Sequence, residues 1–343
     1  MSKNEVRTLK MCIFEVSKIV YKMMRKLSSF IGIAAVLAVM SCSTEVDLYD
    51  DYQDIAVVYG LLDYRLDTNF IRIEKAFLGY GDATVIAQNP DSCNYPGMLD
   101  AKLIEVLTNK VIPLDTVTIH HKETGVFYGG DQLVYYTKSS INPLSRYKLE
   151  IIKPDGTLVS SSTNIVGGES FRIVKPGFYN FSSTATKANV TWFPADNAAL
   201  YEVLISFDWE ENGEKRVMTI PLGTHLASNI AVDYGQLKLP FNPSLFFNSL
   251  ETFLGDDTLK TVERRYHRDC ITISVSAGGE DLATYIEANS PSSSIAQSTL
   301  DWTNIKNGYG VFSSRVNIQE KTTISAPTIT ELIQRGWGFV KID

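Results

Sequence analysis

The 343-residue chain is poor in the side chains that most reaction chemistry uses: it has four histidines and four cysteines. It has no GxSxG, HExxH, GxxxxGK[ST] or protein-kinase motif set, which removes the best-marked hydrolase, metalloprotease and nucleotide-using classes. The cysteines lack CxxC or any other metal-type spacing. No apolar run reaches the ~20 residues of a membrane-spanning helix. Basic charge is also short, with 32 Lys and Arg against 39 Asp and Glu and a net charge of −7. Nucleic acid is therefore not an expected partner, because phosphates need a basic footprint. No repeat of solenoid or propeller period is visible. What remains is a chain 44% apolar and 21% charged. That is ordinary for a folded body in water, and the length allows two medium domains with real cores.

The N-terminus reads as an address. Arg25 and Lys26 precede an eleven-residue apolar run, 30–40, that meets Ser41-Cys42-Ser43. A basic start, a short apolar segment and a small-residue cleavage site make a secretory signal rather than a membrane span. Val39-Met40-Ser41-Cys42 resembles the lipobox of bacterial lipoproteins, aliphatic at −3 and small at −1. The resemblance implies that residues 1–41 are removed and that Cys42 is lipidated and becomes the mature N-terminus. Residues 1–22 extend upstream of a normal signal, so Met23 or Met24 is the expected start. Each buried methylene contributes roughly 0.8 kcal/mol, so several acyl chains anchor far better than one.

Residues 1–41 hold seven basic and two acidic side chains, which leaves 25 against 37 and a net charge of −12. Glu45, Asp47, Asp50 and Asp51 make residues 42–53 a solvated, self-repelling tether. Acidic residues in that place also resemble the surface-export signal of Bacteroidota lipoproteins. The expected location is the outer membrane, lipid-anchored and facing the cell surface. With Cys12 removed and Cys42 lipidated, Cys93 and Cys270 remain in an oxidising compartment as a candidate disulfide. The alternative is two unpaired thiols, since the two lie far apart in the chain.

The body reads as mainly β, in two blocks. Segments 55–62, 70–77, 102–107, 111–119, 126–128, 133–136, 147–151 and 158–163 are short apolar runs broken by turn residues. A polar insertion, 79–99, carries the turn signals Asn89-Pro90 and Pro96-Gly97. Gly167-Gly168 marks a boundary. The second block continues with strands over 171–174, 188–192, 200–210 and 215–220, the last two flanking the hairpin signal Asn212-Gly213. Asn242-Pro243 opens a helix with Phe246, Leu250, Phe253 and Leu254 on its apolar face, and Gly255 closes it. A strand over 271–275, a helix over 281–288, a flexible loop over 290–294, a strand over 311–318 and a small helix over 328–335 follow. Trp192 with Ala199 and Tyr201 resembles the B–C strand region of fibronectin type III modules, where the aromatic body fills the core. The expected architecture is tandem immunoglobulin- and fibronectin type III-like β-sandwiches, over 54–166 and 167–325, with helices inserted in the second and a tail over 326–343.

Little in the body points to chemistry. His120 and His121 are neighbours on a strand and face opposite ways, so they cannot share one metal ion. His225 and His267 are isolated. Asp256-Asp257 and Glu280-Asp281 flank helices, where caps and turns explain carboxylates without acid–base work. The sequence thus predicts no catalytic residue, no metal site and no cofactor.

Residues 301–312, DWTNIKNGYGVF, carry more information. Asn304-Ile305 followed by a Gly-rich turn and Gly310-Val311-Phe312 resembles the signature of a large family of uncharacterised Bacteroidota outer-membrane lipoproteins. Gly60-Leu61-Leu62, Tyr147-x-Leu-x-Ile, and Leu158-Val159 leading to Thr163 agree with it. The insertion at 79–99 and the cysteines 93 and 270 have no counterpart in it. The family's genes often stand beside those of TonB-dependent receptors. The resemblance implies a non-enzymatic binding or accessory subunit of a TonB-dependent nutrient transporter, with an unidentified small ligand. Loops 79–99 and 223–260 are the expected contact surfaces. The alternative is a structural or adhesive surface protein without a transport role. Read from the residues alone, Gly308 and Gly310 make a tight entry into a strand whose Phe312 packs inward.

Overall fold

The computed structural model describes residues 54–77, 83–120, 128–259, 262–290 and 302–342. The signal, Cys42, the tether, His121, residues 126–127 of the expected strand 126–128 and residues 291–301, which include most of the stretch 290–294, lie outside them. The first half contains β1 (Asp54–Leu62), β2 (Asn69–Phe77), α1 (Ala83–Ala87), α2 (Pro90–Cys93), β3 (Asp100–Glu105), β4 (Lys110–Pro113), β5 (Asp115–Ile119), β6 (Gln132–Thr137), β7 (Arg146–Ile152) and β8 (Leu158–Asn164). The second contains β9 (Ala188–Trp192), β10 (Leu200–Glu211), β11 (Glu214–Leu226), β12 (Ala231–Asp233), β13 (Gln236–Phe241), α3 (Leu245–Leu254), β14 (Arg264–Tyr266), β15 (Ile271–Gly278), α4 (Glu280–Asn289), β16 (Gly308–Thr322), α5 (Ala326–Gln334) and β17 (Phe339–Lys341).

The protein is mainly β, and its described strands form three sheets. The largest runs β17-β14-β10-β15-β16-β1-β2-β6-β5, with β11 paired to β10 as its tenth strand. The others are β4-β3-β7-β8 and β12-β13-β9. Strand alternation explains the two cores. In the first, Ala56, Val58, Ile71 and Ile73 of the large sheet meet Leu103, Leu149, Ile151 and Val159 of the four-stranded one. In the second, Val203, Ile205, Phe207, Ile273 and Val275 meet Val190, Trp192, Leu237 and Leu239 of the three-stranded sheet. Helix α3 adds Phe246, Phe247, Leu250 and Leu254 to that core.

Strand β16 belongs to both. Its first half pairs in parallel with β1, from Ala56↔Gly308 to Leu62↔Ser314. Its second half pairs antiparallel with β15, from Gly278↔Arg315 to Ile271↔Thr322. Apolar packing otherwise divides near residue 166. Ile305 and Phe312, from the second half of the chain, join the first core, while half-buried Tyr64 packs against both cores and Leu61 against Leu200, Leu282 and Ala283. The Gly167-Gly168 turn is held by reciprocal backbone bonds between Gly167 and Asp196, at 3.1 and 2.6 Å.

The tail belongs to the second core. Ser325 caps α5 by accepting from Thr328 N, and Leu332, Trp337 and Phe339 are buried. Its anchor is Arg264, which is fully buried. Arg264 Nε donates to Glu211 at 2.9 Å and Nη1 to Trp337 O at 2.6 Å, while the guanidinium lies 5.9 Å from the Phe339 ring centre.

Several elements differ from expectation for local reasons. The run 111–119 breaks at Leu114, which turns into the first core, so β4 and β5 lie in different sheets. Pro113 ends the first piece because it has no N–H to donate. The stretch 171–174 makes one bridge, Ile173↔Trp192, rather than a strand. The insertion read as polar loop holds α1 and α2. Asn89 caps α2 by accepting from Asp91 N at 3.0 Å, and Pro90 supplies the first turn.

Candidate functional site

The stretch that carries the resemblance forms a clamp on β16, where that strand pairs with β1. Asn304 lies eight residues before Phe312 and grips its backbone twice: Nδ2 donates to Phe312 O at 2.7 Å, and Oδ1 accepts from Phe312 N at 3.0 Å. Thr303 Oγ1 donates to Gly310 O at 2.8 Å. Gly60 stands opposite Phe312 in the ladder. The short motifs from the two ends of the chain therefore meet. Phe312 is fully buried, and a Cβ at Gly308 would come within 2.7 Å of Ala56 O. Where the strand changes partner, Ser314 Oγ donates to Leu62 O at 2.7 Å and accepts from Val166 N at 3.0 Å. This region is built for joining rather than for holding a ligand.

The titratable residues singled out in the sequence do not converge. His120 pairs with Asp131 at 2.8 Å on the surface of the first half. His225 Nε2 is 2.9 Å from Leu222 O, and His267 lies 4.0 Å from Glu210. Asp257 lends its backbone carbonyl to Arg264 at 3.2 Å. Burial holds the Asp281 carboxyl above the usual aspartate range, against hydrogen bonding with Asn304. Among the described residues no group of three or more His, Cys, Asp or Glu side chains could hold a metal ion.

Cys93 and Cys270 do not form the candidate disulfide. Cys93, at the end of α2, donates to Ala87 O at 3.2 Å. Cys270 is buried in the second core, where loss of solvent pushes its thiol up to about 12. Such a thiol stays protonated and unreactive. The tryptophans offer no stacking platform either: Trp192, Trp209 and Trp337 are buried and Trp302 is half-buried.

Two surfaces stand out instead. The outward face of the large sheet in the first half carries Tyr59, Phe70 and Tyr309, which are 38%, 52% and 48% exposed. Tyr285 of α4 packs edge-on against Tyr59 at 6.2 Å, and Tyr136 lies 6.1 Å from Phe70. Arg72 and Glu74 pair at 2.6 Å on β2, next to Tyr59 and Val57 of β1 in the ladder. The edge strand β5 exposes Val117 and Ile119 beside it.

The second surface lies in the expected loop region 223–260. Phe253 was expected on the apolar face of its helix, but it is 41% exposed. The core stripe of α3 is Phe246, Phe247, Leu250 and Leu254. At 100° per residue Phe253 falls about 75° from the centre of that stripe.

Comparison of the chain with protein-family models and with curated proteins gives no match.

Proposed function

We propose that the protein is a lipid-anchored outer-membrane lipoprotein, displayed at the cell surface, that serves as a non-enzymatic binding or accessory subunit of a TonB-dependent nutrient transporter. The observation that carries this reading is the convergence of Gly60, Asn304, Gly310 and Phe312 on one clamp. Two of the short likenesses to the lipoprotein family, those at 60–62 and 304–312, weak one by one, become parts of a single structural device. The lipobox at Cys42 and the acidic tether support the anchoring. Residues 42–53 span at most about 40 Å, so β1 begins close to the lipid.

The finer architecture is part of the proposal. In the second half the order β11-β10-β15-β16 faces β12-β13-β9, which supports a fibronectin type III-like sandwich with α3 inserted. The first half supports an immunoglobulin-like sandwich whose last strand is the first half of β16. A two-lobed body of this kind can move on its tether as one piece, as a capturing lid requires.

The test is co-purification of the tagged, full-length protein from outer membranes in mild detergent. A TonB-dependent receptor recovered in near-equal amount supports the accessory role. Recovery of the protein alone, or with other surface subunits only, contradicts it. The second reading, a structural or adhesive subunit, draws on the exposed Tyr59–Phe70–Tyr309 face and the open edge at β5.

A further inference from the structure

Beside α3 lies a groove of about 360 Å³, lined by Met218, Thr219, Asn248, Ser249, Thr252 and Phe253. The volume is in the range of small-ligand sites. Its lining has two apolar side chains, of which Met218 is buried, and four neutral hydrogen-bonding ones. None is charged.

The aromatic ring is held in place. The buried Trp209 meets Phe253 edge-on, with ring centres 5.5 Å apart and planes at 81°. The Arg216 guanidinium sits 5.6 Å from the Phe253 centre. A ring fixed by two neighbours and still 41% exposed loses little freedom when something stacks on it. Its neighbours divide into occupied and open groups. Thr252 Oγ1 is spent on Asn248 O at 2.9 Å, and Thr219 Oγ1 is shared with Ser206 at 3.0 Å. The Asn248 amide is exposed one helical turn before Thr252, next to the Ser249 hydroxyl. An amide offers both donors and an acceptor, and a hydroxyl offers one of each.

A matching ligand has a C–H face for the ring and several neutral hydroxyls around it. The six lining side chains carry no charge, so the walls of the groove favour a neutral ligand, and Arg216 beside it packs on the Phe253 ring. We infer that this groove binds a neutral carbohydrate, with Phe253 as the stacking platform and Asn248 and Ser249 as the groups that read hydroxyls. This deepens the capture reading by naming its ligand class. It is tested on the isolated protein, so its failure is separate from failure to recover a receptor.

The experiment is saturation-transfer NMR on the mature chain with maltoheptaose, cellohexaose, mannohexaose and xylohexaose, and with oligogalacturonate as the charged comparison. The expected result is transfer to ring C–H protons of at least one neutral oligosaccharide. Phe253→Ala should weaken its binding by roughly two- to tenfold, the worth of one aromatic contact. Asn248→Ala, an exposed change, should weaken it as well. Phe253→Leu keeps apolar bulk and should still lose affinity, which separates stacking from misfolding. No transfer to any neutral oligosaccharide up to about 10 mM, binding unchanged in both Phe253→Leu and Asn248→Ala, or preference for oligogalacturonate would overturn the assignment.

Discussion

Gly310 sets the closest approach of two strands that are some 250 residues apart in the chain. Its φ of 105° lies where other residues are strained, and a Cβ there would run into the carbonyl of Val58. Gly310→Ala should therefore cost roughly 3 kcal/mol, more than a surface change and without touching any apolar contact. Chemical denaturation of the purified variant gives the value, and a loss under about 1 kcal/mol would mean that β16 can shift without penalty. Glu105 makes a different kind of contribution. It is buried at the end of β3, where it accepts from Thr108 Oγ1 at 2.7 Å and Asn142 Nδ2 at 2.8 Å. Those hydrogen bonds hold its carboxyl below the usual glutamate range. Because the folded value is lowered, its stabilisation is complete above the ordinary value of 4.5 and is lost as pH falls through the folded one. Glu150, lowered chiefly by the hydrogen bond from Lys148, adds in the same sense. The melting temperature should fall below about pH 4.5, and Glu105→Gln should flatten part of that fall. An equally steep fall in the variant would place the acid sensitivity elsewhere.

At the scale of elements, most strands were legible because alternation and turn residues agree. Tyr147, Leu149 and Ile151 point into the first core, with Lys148, Glu150 and Ile152 between them less buried. Helix α3 was legible from Asn242-Pro243 and Gly255, although its cap falls at Ser244. The misreadings have physical causes. Phe253 and the core stripe of α3 are close on the wheel, so apolarity alone could not say which side it takes. The pairing of β16 with β1 left no mark on local periodicity, because strand order follows long-range contacts. It showed only as a pair of glycines, Gly308 and Gly310, whose roles need a partner from the other end of the chain. The thiols of Cys93 and Cys270 were compatible with pairing in sequence; in the structure Cys93 sits half-buried at the end of α2 and Cys270 inside the second core, each with its own thiol. Arg264 was not singled out at all, since a buried arginine is invisible until its partners are known. Arg264→Ala leaves Glu211 half-buried without its partner and the carbonyl of Trp337 without its donor. It should cost about 3–5 kcal/mol and expose the tail after α5 to protease. The double change Arg264→Met with Glu211→Leu should cost much less, since it removes both charges. Equal losses in the two would show that the ion pair is not what holds the tail.

For the whole molecule, the consequence of β16 is mechanical. Two apolar cores with one strand in common cannot part without breaking the β1–β16 ladder and the Ser314 bridge to Leu62 and Val166 together. The first core also lacks Ile305 and Phe312 if the chain stops at residue 166. In the proposed role, such a joined body would let an accessory on its tether act as a single lid. Native-state hydrogen exchange across 54–342 tests this most directly. The amides of β1, of both halves of β16 and of β15 should exchange only through one global opening, with the same free energy in the two halves. Two distinct opening energies, with the β1 amides released while β15 stays protected, would contradict the account of one body.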